Sequence, residues 1–100
     1  MDYEIKEENR KLILRENNFD AAYLKYSEDE DEDEDEDKDY IIESIFVDEK
    51  YRGKGLAKII FDEFIKKVKK ENRKVIPICS YAKAQFEKRE ALEEFLKKRN

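Results

Sequence analysis

One hundred residues allow one small domain, and 49% charged against 39% apolar residues would border on disorder if the charges were spread evenly. They are not: positions 28–39 hold eleven acids and one lysine, so in a chain of net charge −5 the remaining 88 residues carry +5. A mildly basic body suits an anionic ligand; the absence of histidine excludes Ser-His-Asp and Cys-His chemistry and the usual zinc sets, and one cysteine, Cys79, excludes an internal disulfide and fits a reducing compartment.

Taken in chain order, Tyr3–Lys6 is a candidate short edge strand. Lys11–Arg15 alternates as a half-buried strand with Leu12 and Leu14 on one face. Asn17-Asn18 is a turn signal, and Phe19–Tyr26 is the strand that pairs back as a hairpin. The acidic run Glu28–Asp37 follows. Tyr40–Val47, rich in β-branched and aromatic residues, is the strongest strand. From Gly55 to Lys70 the period changes: Leu56, Ile59, Ile60, Phe64 and Val68 recur at helical spacing, and lysines fill the last turns, where cations suit the dipole. Asn72 is the stop. Lys74–Ile78 is a short apolar strand that Pro77 marks as an edge or a splayed end. Ser80 is placed to cap a helix running to about Lys88, and Glu90–Lys98 forms a last helix with Leu92, Phe95 and Leu96 as its stripe. Strand-helix-strand order from Tyr40 to Ile78 implies a crossover to a parallel neighbour. The expected class is α/β in one domain, with a mixed sheet and C-terminal helices.

The only two glycines stand in Tyr51-Arg-Gly-Lys-Gly-Leu-Ala57, between the best strand and the best helix. A glycine turn opening a helix leaves backbone N–H groups free and aims the dipole at an anion. Arg52 and Lys54 add charge, so a phosphate or pyrophosphate is the expected ligand. A P-loop fails because Leu56 follows Gly55, and a dinucleotide fingerprint fails because Lys58 stands where its third glycine belongs.

Lys50-Tyr-Arg-Gly-Lys-Gly55 resembles the Gln/Arg-x-x-Gly-x-Gly/Ala loop of the GNAT acetyltransferases, and Val75-Ile-Pro77-Ile-Cys79 resembles the strand end of their short, minimal branch. The resemblance covers roughly residues 11–86 and treats the acidic run as an insertion. It implies a minimal GNAT-like fold whose sheet is mostly antiparallel, and acetyl-CoA (coenzyme A) as co-substrate. Backbone groups of Arg52, Gly53, Lys54, Gly55, Leu56 and Ala57 would hold the pyrophosphate, and those of Phe46 and Val47 would pair with the pantetheine arm and serve the oxyanion. The implied activity is N-acetyl transfer to an amine, either a small molecule or a protein lysine or N-terminus. Lys50 departs from the first loop position, Ser44 from a histidine found in the branch, and Phe86 from the tyrosine that acts as general acid in larger members.

For the chemistry, Cys79 lies just ahead of a helix N-terminus, which favours negative charge there; it is a candidate to accept or steer the acetyl group, beside its plainer reading as a small residue at a strand end. Tyr81 is the candidate substitute acid and Glu43 the candidate base. The rival reading is a non-catalytic acyl-CoA-binding or interaction module. The basic stretch Lys66–Lys74 is explained by the helix dipole without nucleic acid. No apolar run reaches membrane-spanning length and the N-terminus lacks a signal-peptide pattern, so a cytoplasmic protein without membrane or metal is expected. The acidic run is expected to be an extended, disordered hairpin loop at about 27–39, an inert solubilising insertion with a docking arm for a basic partner or substrate as the alternative, since like charges repel and loop closure costs grow only logarithmically.

Overall fold

The computed structural model describes residues 3–29 and 38–97. Five strands, β1 (Glu4–Glu8), β2 (Lys11–Glu16), β3 (Phe19–Glu28), β4 (Tyr40–Val47) and β5 (Val75–Pro77), form one sheet in sequential order. The first four pair antiparallel, while β5 joins β4 in parallel through α1 (Leu56–Lys70). The expected mixed α/β sheet is therefore the observed one, with its edge strand β1 running from Glu4 to Glu8. α2 (Ser80–Lys88) and a 3-10 helix (Glu90–Phe95) complete the described chain.

Turn chemistry sets the hairpins. Asn17 and Asn18 both take positive φ (49° and 65°), as do Asn9 and Arg10 (49° and 59°). Two successive left-handed residues make the turn whose twist matches that of the flanking strands. Asn-Asn was a legible signal; Arg10 was not, because nothing in an arginine favours that conformation.

Period-two alternation then chooses the core face. Leu12, Leu14, Ala22, Leu24, Tyr26, Tyr40 and Ile42 are buried against Leu56, Ile60, Phe61, Phe64 and Val68 of α1. Ile13, Tyr23 and Phe46 point the other way, lie in register across β2, β3 and β4, and are not part of that core. α2 packs on the same side as α1: Phe61 meets Tyr81 at 6.2 Å and Phe86 at 5.8 Å between ring centroids, and Arg89 donates to Asp62 at 2.7 Å. Phe86, the aromatic without a hydroxyl, thus serves as packing.

α1 stops as a Schellman motif. Asn72 (φ 56°) donates to Lys69 O at 3.2 Å and Arg73 to Val68 O at 3.1 Å. Two expectations change at the C-terminal end. Cys79, not Ser80, is the N-cap of α2: its Sγ accepts the Ala82 N–H at 3.4 Å, and Ser80 is the first helical residue. The expected helix at Glu90–Lys98 is instead a 3-10 helix that ends at Phe95, after which Leu96 bridges to Val75 and Lys97 N donates to Val75 O at 2.9 Å. Sheet hydrogen bonding to the outer side of β5 outcompetes another helical turn there.

The Tyr40 end of the sheet is closed by a charged network. Lys67 reaches Glu7 at 2.9 Å and Glu71 at 2.8 Å, Tyr26 donates to Glu7, Tyr40 donates to Glu71 at 2.7 Å, and Arg73 lies 4.5 Å over the Tyr40 ring. Burial works against ionisation of Glu7 and Glu71, but their bonds to Lys67 and the tyrosines prevail and hold both carboxyls below the usual range. Burial and the Glu71 carboxylate push Tyr40 up to about 12. The stem of the acidic segment is fastened nearby. Asp29 N donates to Asp39 O at 2.8 Å, buried Asp39 accepts from Lys74 N at 3.0 Å, and Glu28 pairs with Arg10 at 3.4 Å and Arg73 at 3.6 Å. The expected loop itself falls mainly on 30–37, outside the described residues.

Candidate functional site

The site grows from a failure of two strands to stay together. β5 pairs with β4 only from Tyr40 to Ile42, and the last rung has both Ile78 N (3.1 Å) and Cys79 N (3.4 Å) donating to Ile42 O. Beyond it β4 runs on through Glu43–Val47 while the other chain enters α2. One local cause is visible: β4 carries a bulge at Glu43, the residue left unpaired between the Tyr26–Ile42 and Lys25–Ser44 pairs. The missing N–H of Pro77 falls on the outer side of β5, where Val75 O accepts from Lys97 N, and not on the β4 side, where Ile78 N donates.

Which backbone groups face the gap follows from alternation. Asp48 N donates to Ala21 O on β3, so Phe46 also turns its N–H and C=O to β3, whereas Ile45 and Val47 turn theirs to the open edge. Of the two residues expected to meet the pantetheine arm, Val47 turns its backbone to the gap and Phe46 has its backbone engaged with β3. Ile45 is the edge residue that sequence reasoning missed, because the bulge that sets the alternation has no sequence signature. Ile45 and Val47 side chains pack on the core and hold that edge in place.

The glycine loop sits at the end of this edge. Asp48 caps a 3-10 turn (Glu49–Tyr51) by accepting from Lys50 N at 3.0 Å. Gly53 (φ 82°) and Gly55 (φ 76°) then reverse the chain into α1. An added Cβ would meet nothing within 4 Å at either glycine, so their requirement is conformational and the space around them is open. Gly55 caps α1 without any side-chain bond, no acid lies in the first turn, and the first helical bond is Ile59 N to Gly55 O at 3.2 Å. Helix geometry therefore leaves the N–H groups of Leu56, Ala57 and Lys58 without an intrahelical acceptor. Leu56 is buried and anchors the helix mouth to the core. Arg52 donates through Nε to Val47 O at 3.2 Å, and the Lys54 ammonium lies 5.3 Å over the Tyr51 ring. Both cations are tethered beside the mouth. The fit to a pyrophosphate is good: open space, unpaired donors and two cations converge there.

Across the gap stand Cys79 and Tyr81. Cys79 is half-buried, with its sulfur accepting the Ala82 N–H of α2. Burial, then the Asp62 carboxylate, raises the Tyr81 hydroxyl above its ordinary value and keeps it protonated. Glu43 lies apart, on the face without helices, 3.8 Å from Lys25. Val47 and Arg52–Ala57 thus follow one another from the β4 edge to the helix mouth, Cys79 opens α2 where β5 ends, Tyr81 packs toward Phe61 of α1, and Glu43 lies on the opposite face. Among the described residues no group of three or more metal-ligating side chains occurs, and no helix is long and apolar enough to cross a membrane. A hollow of about 700 Å³ lined by Lys74, Glu90, Ala91, Glu94 and others lies at the Tyr40 end, away from the glycine loop, with charged, open walls.

Fold and loop together define a small α/β domain with a glycine-opened helix beside a parted pair of parallel strands. The chain belongs to the GCN5-related N-acetyl-transferase family, whose model matches residues 2–95. Its structure is similar to the solution structure of a "GCN5-like putative N-acetyltransferase" from Staphylococcus aureus, with a TM-score of 0.71 over 97% of this chain and 90% of that one at 22% identity. At that identity the likeness speaks for the fold alone. No curated protein matches the chain.

Proposed function

We propose that this chain moves an acetyl group from acetyl-CoA to an amine. The observation that carries the reading is the open β4 edge leading straight to an uncapped, glycine-opened helix. The free N–H groups of Leu56, Ala57 and Lys58, with Arg52 and Lys54, hold the pyrophosphate. Ile45 and Val47 offer the pantetheine amides the strand edge that β5 leaves unpaired, and Arg52 releases Val47 O as they arrive. The thioester then lies between β4 and Cys79.

Acetyl-CoA supplies an activated carbonyl carbon. The ammonium first gives a proton to Glu43 or to water, the lone pair of the neutral amine then forms the C–N bond, and the nitrogen gives up its second proton to water as the tetrahedral adduct collapses. The carbonyl oxygen takes up charge against an edge N–H, for which Ile45 is now the better donor than Phe46. The C–S bond breaks with its electron pair on sulfur, and Tyr81 or water returns the proton to the thiolate. Cys79 steers the thioester or accepts the acetyl group in passing. One observation favours a second reading, a non-catalytic acyl-CoA binder: Phe86 is packed against Phe61 and brings no proton.

CoA titration followed by thermal shift, together with thiol release from acetyl-CoA over an amine panel, tests both readings. Stabilisation with amine-dependent release is expected. Stabilisation without release selects the binder, and neither response removes both.

A further inference from the structure

The sheet edge farthest from the parted strands is bare. Among the described strands β1 pairs only with β2, and all of Glu4–Glu8 are exposed. The turn at its end fixes its hydrogen-bonding sense. Asn9 and Arg10 are both left-handed, and a two-residue turn of this kind makes its flanking residues, Glu8 and Lys11, a hydrogen-bonded pair. Alternation then turns the N–H and C=O of Glu4, Lys6 and Glu8 to β2, and those of Ile5 and Glu7 to the outside. Side chains alternate as well. Ile5 stands opposite buried Leu14 on the helix face and is still 41% exposed, while Glu4 and Lys6 lie on the other face, opposite Arg15 and Ile13.

Outward donors and acceptors beside an uncovered isoleucine are a template for another strand. Charge selects which strand fits. Two copies related by a two-fold axis normal to the sheet pair antiparallel, with their helices on one side, so each β1 residue meets one whose side chain shares its face. Centred on Lys6, the pair would set Lys6 against the partner's Lys6 and Glu4 against the partner's Glu8. Centred on Glu7, it would set Glu7 against the partner's Glu7 and Ile5 against the partner's turn at Asn9. Centred on Ile5, it sets Ile5 against the partner's Ile5 and each Glu4 against the partner's Lys6. Opposite charges across a strand pair stabilise and like charges do the reverse, so the Ile5 register wins. It continues the Leu14–Ile5 row into the partner's Ile5 and Leu14. Lys6 lies 2.9 Å from Glu8 with both side chains 46% exposed, a pairing that is weak in water and readily exchanged. The same register keeps the acidic segments apart. Arg10 holds Glu28 at 3.4 Å near the Glu8 end of β1. With the axis at Ile5, the two Glu8 residues lie six positions apart, about 20 Å along the strands, which is about twice the screening length in physiological salt. The other two registers bring them to four and two positions.

We propose that β1 is a self-association edge. A second copy of this chain docks on it through antiparallel β1 strands centred on Ile5, held by two Glu4–Lys6 pairs, and joins the two five-stranded sheets into one. The parted β4–β5 strands lie at the opposite edge of each sheet and stay uncovered.

Sedimentation velocity of the parent protein over about 10 µM to 1 mM tests this, since an edge this short makes a small interface and a weak dimer. A reversible dimer is expected, and it should dissociate as added salt screens the Glu4–Lys6 pairs. Glu4→Lys and Lys6→Glu each set like charges opposite one another and should weaken the dimer about tenfold or more. Combining them exchanges the pair and should restore the dimer to within about threefold of the parent. Amide shifts of the parent followed against concentration by NMR should centre on Glu4–Glu8, a readout that depends on no variant folding. A monomer at every concentration, a dimer unmoved by either reversal, a double variant as weak as the single ones, or shifts centred on another surface overturns the proposal.

Discussion

Gly55→Ala separates the conformational role of the loop from its ligand role. Gly55 sits at φ 76°, ψ 20°, in the left-handed region. An L-residue there costs about 1 kcal/mol, and no steric term adds to it because a Cβ meets nothing within 4 Å. In a domain this small about 1 kcal/mol lowers Tm by about 4–8 °C. Asn tolerates the left-handed region better, so Gly55→Asn should lose about half as much. Ligand binding follows a different rule, since both substitutions put a Cβ beside the free N–H groups of Leu56–Lys58. Displacing one charge-assisted hydrogen bond weakens CoA by about tenfold or more in each. Melting curves without ligand and calorimetric titration with CoA read the two effects independently. An unchanged Tm would refute the backbone argument. A lowered Tm with CoA affinity equal to that of the parent would refute the cradle.

Lys67→Met removes the cation shared by Glu7 and Glu71. Because the Glu7 side chain is 43% exposed and that of Glu71 30%, solvent screening limits the loss to about 1–2 kcal/mol in urea unfolding near neutral pH. Both carboxyls titrate below their usual 4.5 when folded, so their contribution is present above that value and fades as pH falls through the lower folded one. The acid-side loss should be shallower in Lys67→Met, and identical slopes would show that Lys67 does not hold them down. Asn72→Ala, forced to φ 56°, should cost about 1 kcal/mol, whereas Asn72→Gly should be neutral or better; equal midpoints for all three would contradict the Schellman stop. For Cys79, serine keeps an acceptor on the Ala82 N–H and alanine does not, so Cys79→Ser should exceed Cys79→Ala in stability by about 1 kcal/mol. Both should transfer acetyl at least about tenfold more slowly than the parent, one lost interaction at the reacting group, and a rate matching the parent would release Cys79 from the chemistry.

Much of this protein was legible in order along the chain because the signals are local. Leu12 and Leu14 declare their shared face by alternation, Asn17-Asn18 supplies the left-handed pair, and the spacing from Leu56 to Val68 allows only a helix. The glycine pair between strand and helix announces a tight turn that opens the helix, since positive φ is a property of the segment itself. Subtler local chemistry was misjudged where two neighbours compete. Cys79 rather than Ser80 caps α2 because β5 hands over to the helix one residue earlier. Leu96 leaves the helical path because Val75 offers a sheet partner.

Other features were settled only when distant segments met. The bulge at Glu43 decides that Ile45 and Val47, not Phe46, face the gap, and it arises from registering β4 against β3. Phe86 becomes packing because Phe61 lies under it. Phe46 is exposed and stacked on a half-buried Tyr23 because both described helices pack on the opposite side. Sequence by itself therefore determined the elements, their order and the glycine turn into α1, all of which rest on the φ preferences and hydrophobic period of nearby residues. Tertiary structure alone determined which edge is unpaired and which face of the sheet the described helices cover, because pairing register and layer packing join residues that the chain keeps far apart.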